Sequence, residues 1–267
     1  MKISDKAIKR IFTINACCII LVILLWIFGN DLFAGADETT MILFQEALLL
    51  ASIILGVIFL LSLGSLYKLS TKMGRIWLFL GLGMLCWFLG ELIFTILDLD
   101  PLGSPFPSIA DIFYILAYPF LAIGLLIQTG LLKIKLSVKE IIGAIIVIVA
   151  SAAVIFVIVL LPLIEEWAST TDLFGSFVEA LYPVLDIFLL ATVIFVYVKL
   201  RHGKINSAWI LILLGLVMMT VADTLYSSYP QDDPLIIFKL YDLAFFISYM
   251  LILSGSLKVI NLMSSGK

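Results

Sequence analysis

Apolar residues run almost unbroken along this chain, interrupted by short polar segments at regular intervals. Eight stretches, near 11–30, 42–66, 76–97, 107–131, 141–163, 174–198, 207–228 and 235–257, are long enough to cross about 30 Å of hydrocarbon as helices. The pattern predicts an all-α integral membrane protein with eight transmembrane helices. The first stretch follows "MKISDKAIKR" as a signal peptide would. Its apolar core is as long as a span and no small-residue cleavage pattern follows, so it is expected to remain as an uncleaved helix.

The polar segments are of two kinds. Lys2, Lys6, Lys9 and Arg10 precede the first span, and Lys68, Lys72 and Arg75 follow the second. Lys133, Lys135 and Lys139 follow the fourth, Lys199, Arg201 and Lys204 the sixth, and Lys258 and Lys267 the eighth. The alternate segments "NDLFAGADETT", "DLDPLGSPFPS", "EEWASTTD" and "YPQDDP" contain no Lys or Arg. The positive-inside rule then predicts a cell-membrane protein with both termini cytoplasmic and the acidic loops outside.

Composition agrees with a membrane chain. Of 267 residues 63% are hydrophobic and 13% charged, against roughly a quarter charged in soluble domains. Cys17, Cys18 and Cys86 lie within apolar runs without metal-binding spacing, and His202 is the one histidine. Zinc sites, bis-histidine haem and histidine catalysis are not expected, and no cofactor is implied. The basic clusters read as topology determinants that touch anionic lipid, with no nucleic-acid partner.

The chain also matches itself. At an offset of 132, Trp77 meets Trp209, Gly83 meets Gly215, Glu91 meets Asp223 and Phe94 meets Tyr226. At 131, Asp111 meets Asp242, Tyr114 meets Phe245, Tyr118 meets Tyr249 and Gly124 meets Gly255; "FQEAL" (44–48) matches "FVEAL" (177–181) at 133. The expected organisation is a tandem pair of four-helix repeats, 1–132 and 133–267. An even number of spans in each gives both repeats the same orientation, related by a pseudo-twofold along the membrane normal.

The matched positions carry the candidate chemistry. Asp111 with Tyr114 and Tyr118, and Asp242 with Tyr249, each follow D-x-x-[YF]-x-x-x-Y, which lines one helix face. Glu91 lies in the third span, Asp223 and Tyr226 in the seventh, and Tyr182 and Asp186 lie four apart in the sixth. Counted at 1.5 Å per residue, these groups sit in the outer third to half of the membrane. Ionised groups at such depth need partners or a wet cavity. Tyr118-Pro119 and Tyr182-Pro183 would free backbone carbonyls beside them.

Simpler roles compete. Ser108 and Asp111 fit a capping box, S-x-x-D; Asp233-Pro234 fits the start of the eighth helix; Glu46 and Glu179 fit helix-start acids; and the tyrosines fit an interfacial belt. Lys239 is expected to pair with Asp242 three residues on, in preference to carrying a retinal Schiff base. "LYD" at 240–242 lacks the following GxGD of intramembrane aspartyl proteases. No nucleophile, base and orienting group can be assembled, so an enzyme is not expected.

"PSIADIFYILAYPFLAIGLL" (107–126) resembles a segment of the membrane-embedded N-terminal sensor regions of prokaryotic signalling proteins, which precede PAS, histidine-kinase or GGDEF/EAL output domains. "YPVLDIFLL" (182–190) is similar to a second segment of those regions. The resemblance implies a sensory module, and points to Pro107, Ser108, Asp111, Tyr114, Tyr118, Pro119, Tyr182, Pro183 and Asp186. The chain ends about ten residues past the eighth span, so its signal is expected to pass to a separate partner protein. The leading expectation is an acidic, aromatic cup open to the outside that binds a cationic or polyhydroxylated small molecule. A small proton- or cation-coupled transporter or channel is the alternative, disfavoured by the apolar inner halves of the spans.

Overall fold

The computed structural model describes residues 38–99, 105–132, 134–167, 171–201, 207–228 and 240–264, with 13, 17 and 20–24 of the first apolar stretch. Seven helices here are long and apolar enough to cross a membrane, the architecture of an α-helical multi-pass membrane protein. They are α1 (Glu38–Leu66), α2 (Lys72–Asp98), α3 (Ile109–Leu131), α4, α5 (Leu173–Leu200), α6 (Ser207–Ser228) and α7 (Leu240–Ser264). Helix α4 runs through Val138–Ile155, a π-helical turn Phe156–Leu160, and Leu161–Trp167. These seven answer to the second to eighth expected spans. Of the first, the described residues are helical, and Val22 packs against the core.

Local chemistry sets the helix ends. Thr71 caps α2 by accepting from the Gly74 N–H at 3.0 Å. At α3 the expected capping box is present: Ser108 Oγ accepts from Ala110 N–H at 3.2 Å, while Ser108 N–H donates to Asp111 Oδ2 at 2.6 Å. Ser137 and Glu140 repeat the device at α4. The π turn lies just before Pro162, and Leu161 N–H reaches back five residues to the Phe156 carbonyl. Widening the helix there relieves the clash of a proline ring with the preceding turn.

Contacts arrange six helices in a closed ring, in the order α1, α2, α3, α5, α6, α7 and back to α1, with α4 outside against α5. The most extensive pairings, α2 with α3 and α6 with α7, are built the same way. A methyl added at Gly83 would lie 2.5 Å from Leu121 Cγ and 3.2 Å from the Ala117 carbonyl; at Gly215 it would lie 2.6 Å from Ile252 Cγ1 and 2.9 Å from the Ser248 carbonyl. The return contact recurs too. Gly124 abuts Leu80 and the Ile76 carbonyl, and Gly255 abuts Ile212 and the Ala208 carbonyl. Only a residue without Cβ lets two helix backbones approach this closely.

The centre of the ring is apolar. Trp77 of α2 stacks on Trp209 of α6, with centroids 5.2 Å apart. Ile76, Leu80, Met84, Leu121, Leu125, Ile212 and Leu216 are all 1% exposed or less. A void of about 10 Å³ among Leu80, Met84, Leu121, Ile212, Leu216 and Ile252 lies in this plug. A void this small and this apolar stays dry.

Candidate functional site

The ring gathers the acids and phenols at one end. Helices α1, α3, α5 and α7 supply Glu46, Asp111, Tyr182, Asp186 and Asp242 from their N-terminal halves, while α2 and α6 supply Glu91, Asp223 and Tyr226 from their C-terminal halves. Lys68, Lys72, Arg75, Lys199 and Arg201 stand at the opposite helix ends.

Tyr118 is the hub. It is 1% exposed, its ring packs edge-on against Trp87, and its hydroxyl donates to Asp186 Oδ1 at 2.8 Å. The same hydroxyl reaches Asp223 Oδ2 at 3.5 Å, the outer limit of a hydrogen bond. Asp186 is 2% exposed, and no ion pair joins either carboxylate to a described lysine or arginine. One turn away, Tyr182 donates to Asp111 Oδ1 at 2.5 Å. Asp111 is therefore more than a cap: one oxygen accepts from the Ser108 N–H at the start of α3 and the other accepts a phenol from α5.

A second chain of bonds stays within α1, α2 and α3. Tyr114 donates to Glu91 Oε2, Thr95 Oγ1 donates to Glu46 Oε2 at 3.0 Å, and Thr95 also bonds the Glu91 carbonyl. Bonds among carboxylates and phenols in this arrangement satisfy groups that are costly to leave bare in hydrocarbon. No family model matches this chain, and no curated protein or solved structure is significantly similar to it.

Nine of the expected site residues, together with Asp242 at the rim, belong to this end. Tyr249 is 2% exposed and lies beside Phe245. Asp242 is half-buried and lines a cavity with Glu46. Tyr226 is 39% exposed and meets Tyr241 edge-on at 5.1 Å, the one phenol of the set placed as a belt residue would be. The belt reading fails for Tyr118 and Tyr249, because both are enclosed by the ring. Lys239, and with it the ion pair expected with Asp242, lies outside the described residues, as do Asp233 and Pro234. Pro119 and Pro183 sit inside continuous helices.

The sequence reading did not single out the Thr95 bonds or the contact of Trp77 with Trp209. Thr95 stands one turn after Glu91, a position from which it serves Glu46 on the neighbouring helix. The paired tryptophans were visible as a match at constant offset. That they touch needed the ring.

Proposed function

We propose that the chain is a ligand-responsive sensory module of the membrane, built from eight spans in two tandem repeats. Its carboxylate–phenol end faces outward and both termini face the cytoplasm. The observation that carries this reading is the pairing of a bonded polar end with a dry apolar plug. The polar groups join parts of the chain that the repeat assigns to different halves: Tyr118 and Asp111 belong to the first, Asp186, Asp223 and Tyr182 to the second. A residue that stacks on its own counterpart, as Trp77 does on Trp209, lies on the axis relating two halves, and supports a pseudo-twofold through the plug. A cationic or hydroxyl-bearing ligand competing for these carboxylates would change how the halves are fastened at the outer end. They would then shift about the tryptophan stack, and a separate partner protein would read the change at the cytoplasmic face.

A transporter of protons or small cations is the second reading, favoured by Asp186 and Asp223 sharing one hydroxyl without a described basic partner. The two are separated by charge movement on proteoliposomes under proton, sodium, potassium and calcium gradients, wild type beside Asp223→Asn. The sensory reading predicts no sustained current in either protein. A sustained current lost in the variant overturns it in favour of transport.

A further inference from the structure

The stripe that carries the tryptophan stack continues to the polar end. Met84 and Leu216 stand seven residues beyond Trp77 and Trp209 and line the small void in the plug. Seven residues further on come Glu91 and Asp223. Fourteen residues make close to four helical turns, a rise of about 21 Å, so the two acids stand above the plug on the faces that the tryptophans occupy within it. Both are half-buried, which leaves them open to a small solute. Tyr249 of α7 is 2% exposed. Its hydroxyl makes no hydrogen bond among the described residues and lies within electrostatic reach of Glu91, Asp223 and Glu46. Tyr118, its match at the offset of 131, donates to Asp186. The counterpart of Asp186 at the offset of 133 is Ile53, so α1 gives Tyr249 no such acceptor. A hydroxyl enclosed this far is costly to leave without a partner.

We propose that Glu91, Asp223 and the Tyr249 hydroxyl are the binding site of a primary ammonium group, which donates one N–H to each. An ammonium presents three donors and no acceptor, and carboxylates and a phenol oxygen all accept. Positive charge is what the surroundings lack. Asp186 and Asp223 lie in hydrogen-bond contact with each other, and a nearby cation relieves the repulsion between them. None of Glu91, Asp186 and Asp223 pairs with a described lysine or arginine. Neither carboxylate of the site has to be bare, because each offers about four acceptor positions. Glu91 gives one to Tyr114, and Asp223 is approached by Tyr118 at 3.5 Å and by Asp186. A metal ion is the poorer fit, since no group of three or more His, Cys, Asp and Glu side chains among the described residues is placed to hold one. This assignment rests on the reading of the polar end as a ligand site and names its chemistry. Occupied, the site ties α2 of the first half to α6 and α7 of the second.

The test uses the full chain in phosphatidylcholine nanodiscs and an amine-free buffer. Thermal unfolding is followed against methylammonium, tetramethylammonium, sodium and potassium chlorides. Wild type should gain a saturable rise in melting temperature with methylammonium. Tetramethylammonium, which has the charge without an N–H, should give none, and sodium and potassium should give none beyond their shared effect of ionic strength. Tyr249→Phe keeps the ring and should weaken the methylammonium response at least about tenfold, the low end for a hydrogen bond to a charged group. Glu91→Gln should weaken it as well, and serves if Tyr249→Phe folds poorly. No saturable response to methylammonium, an equal one to tetramethylammonium or to either metal ion, or an unchanged one in both variants would overturn the site. Nanodiscs containing phosphatidylethanolamine name the source of the ammonium. Loss of the methylammonium response there assigns the site to the lipid headgroup, and its retention assigns it to a free amine. Spin labels across the α3/α5 seam separate this from the sensory reading: saturable binding without a distance change leaves the site standing and refutes the response.

Discussion

Replacing Tyr118 with phenylalanine isolates the hydroxyl at the hub of the polar end. The ring is 1% exposed and held edge-on by Trp87 at 6.1 Å, so its volume is kept and no cavity opens. What goes is the bond to Asp186 at 2.8 Å and the long contact to Asp223 at 3.5 Å. In water-soluble proteins a bond to a charged group contributes about 1.5–3 kcal/mol. Within membranes measured side-chain bonds average about 0.6 kcal/mol and reach about 1.7 kcal/mol, because the unfolded helices also find partners. Asp186 is 2% exposed and has little access to a substitute, so the loss should fall near the upper membrane figure, about 1–1.5 kcal/mol. The comparison is Tyr249→Phe. At that matched position no bond to a carboxylate is present among the described residues, and the change should stay within about 0.5 kcal/mol. Both are measured by SDS-induced unfolding in mixed micelles, followed by tryptophan fluorescence. Equal stability of Tyr118→Phe and wild type would refute the hub.

Four further outcomes follow from the geometry. Gly255→Ala should destabilise by about 1–3 kcal/mol, since the new methyl would stand 2.7 Å from the Ala208 backbone carbonyl. Gly143→Ala, with nothing within 4 Å, should be neutral or stabilise by up to about 1 kcal/mol in the same assay. Asp111→Asn weakens both a cap and the Tyr182 bond, and Tyr182→Phe made in that background should cost much less than it does in wild type, a coupling read by a double-mutant cycle. Arg201→Ala should cost under about 1 kcal/mol and respond to salt, because its pair with Glu140 at 3.0 Å is half exposed on the arginine side.

Seven of the expected spans and the Ser108–Asp111 cap were legible because each is written in local sequence: apolar length, and a serine three before an acid. The glycines that let α2 meet α3 and α6 meet α7 were visible as matched positions, although what they abut was not. Tyr182 and Asp186 share a face at i, i+4 and read as one pair; in the ring each instead bonds a different residue of α3, Asp111 and Tyr118. Sequence spacing orders side chains on one helix and is silent on which helix stands opposite.

In the proposed sensory module the polar end communicates with one face of the membrane and ends blindly on the plug. Single cysteines at Asp223, Leu80 and Leu216, placed in a chain whose own cysteines are replaced by alanine, report this directly. Oriented proteoliposomes are treated with a membrane-impermeant maleimide from either side. The account predicts labelling of the position 223 thiol from the outside alone, and none at 80 or 216 from either side. Labelling at 223 from both sides, or of a plug position from the cytoplasmic side, would contradict it.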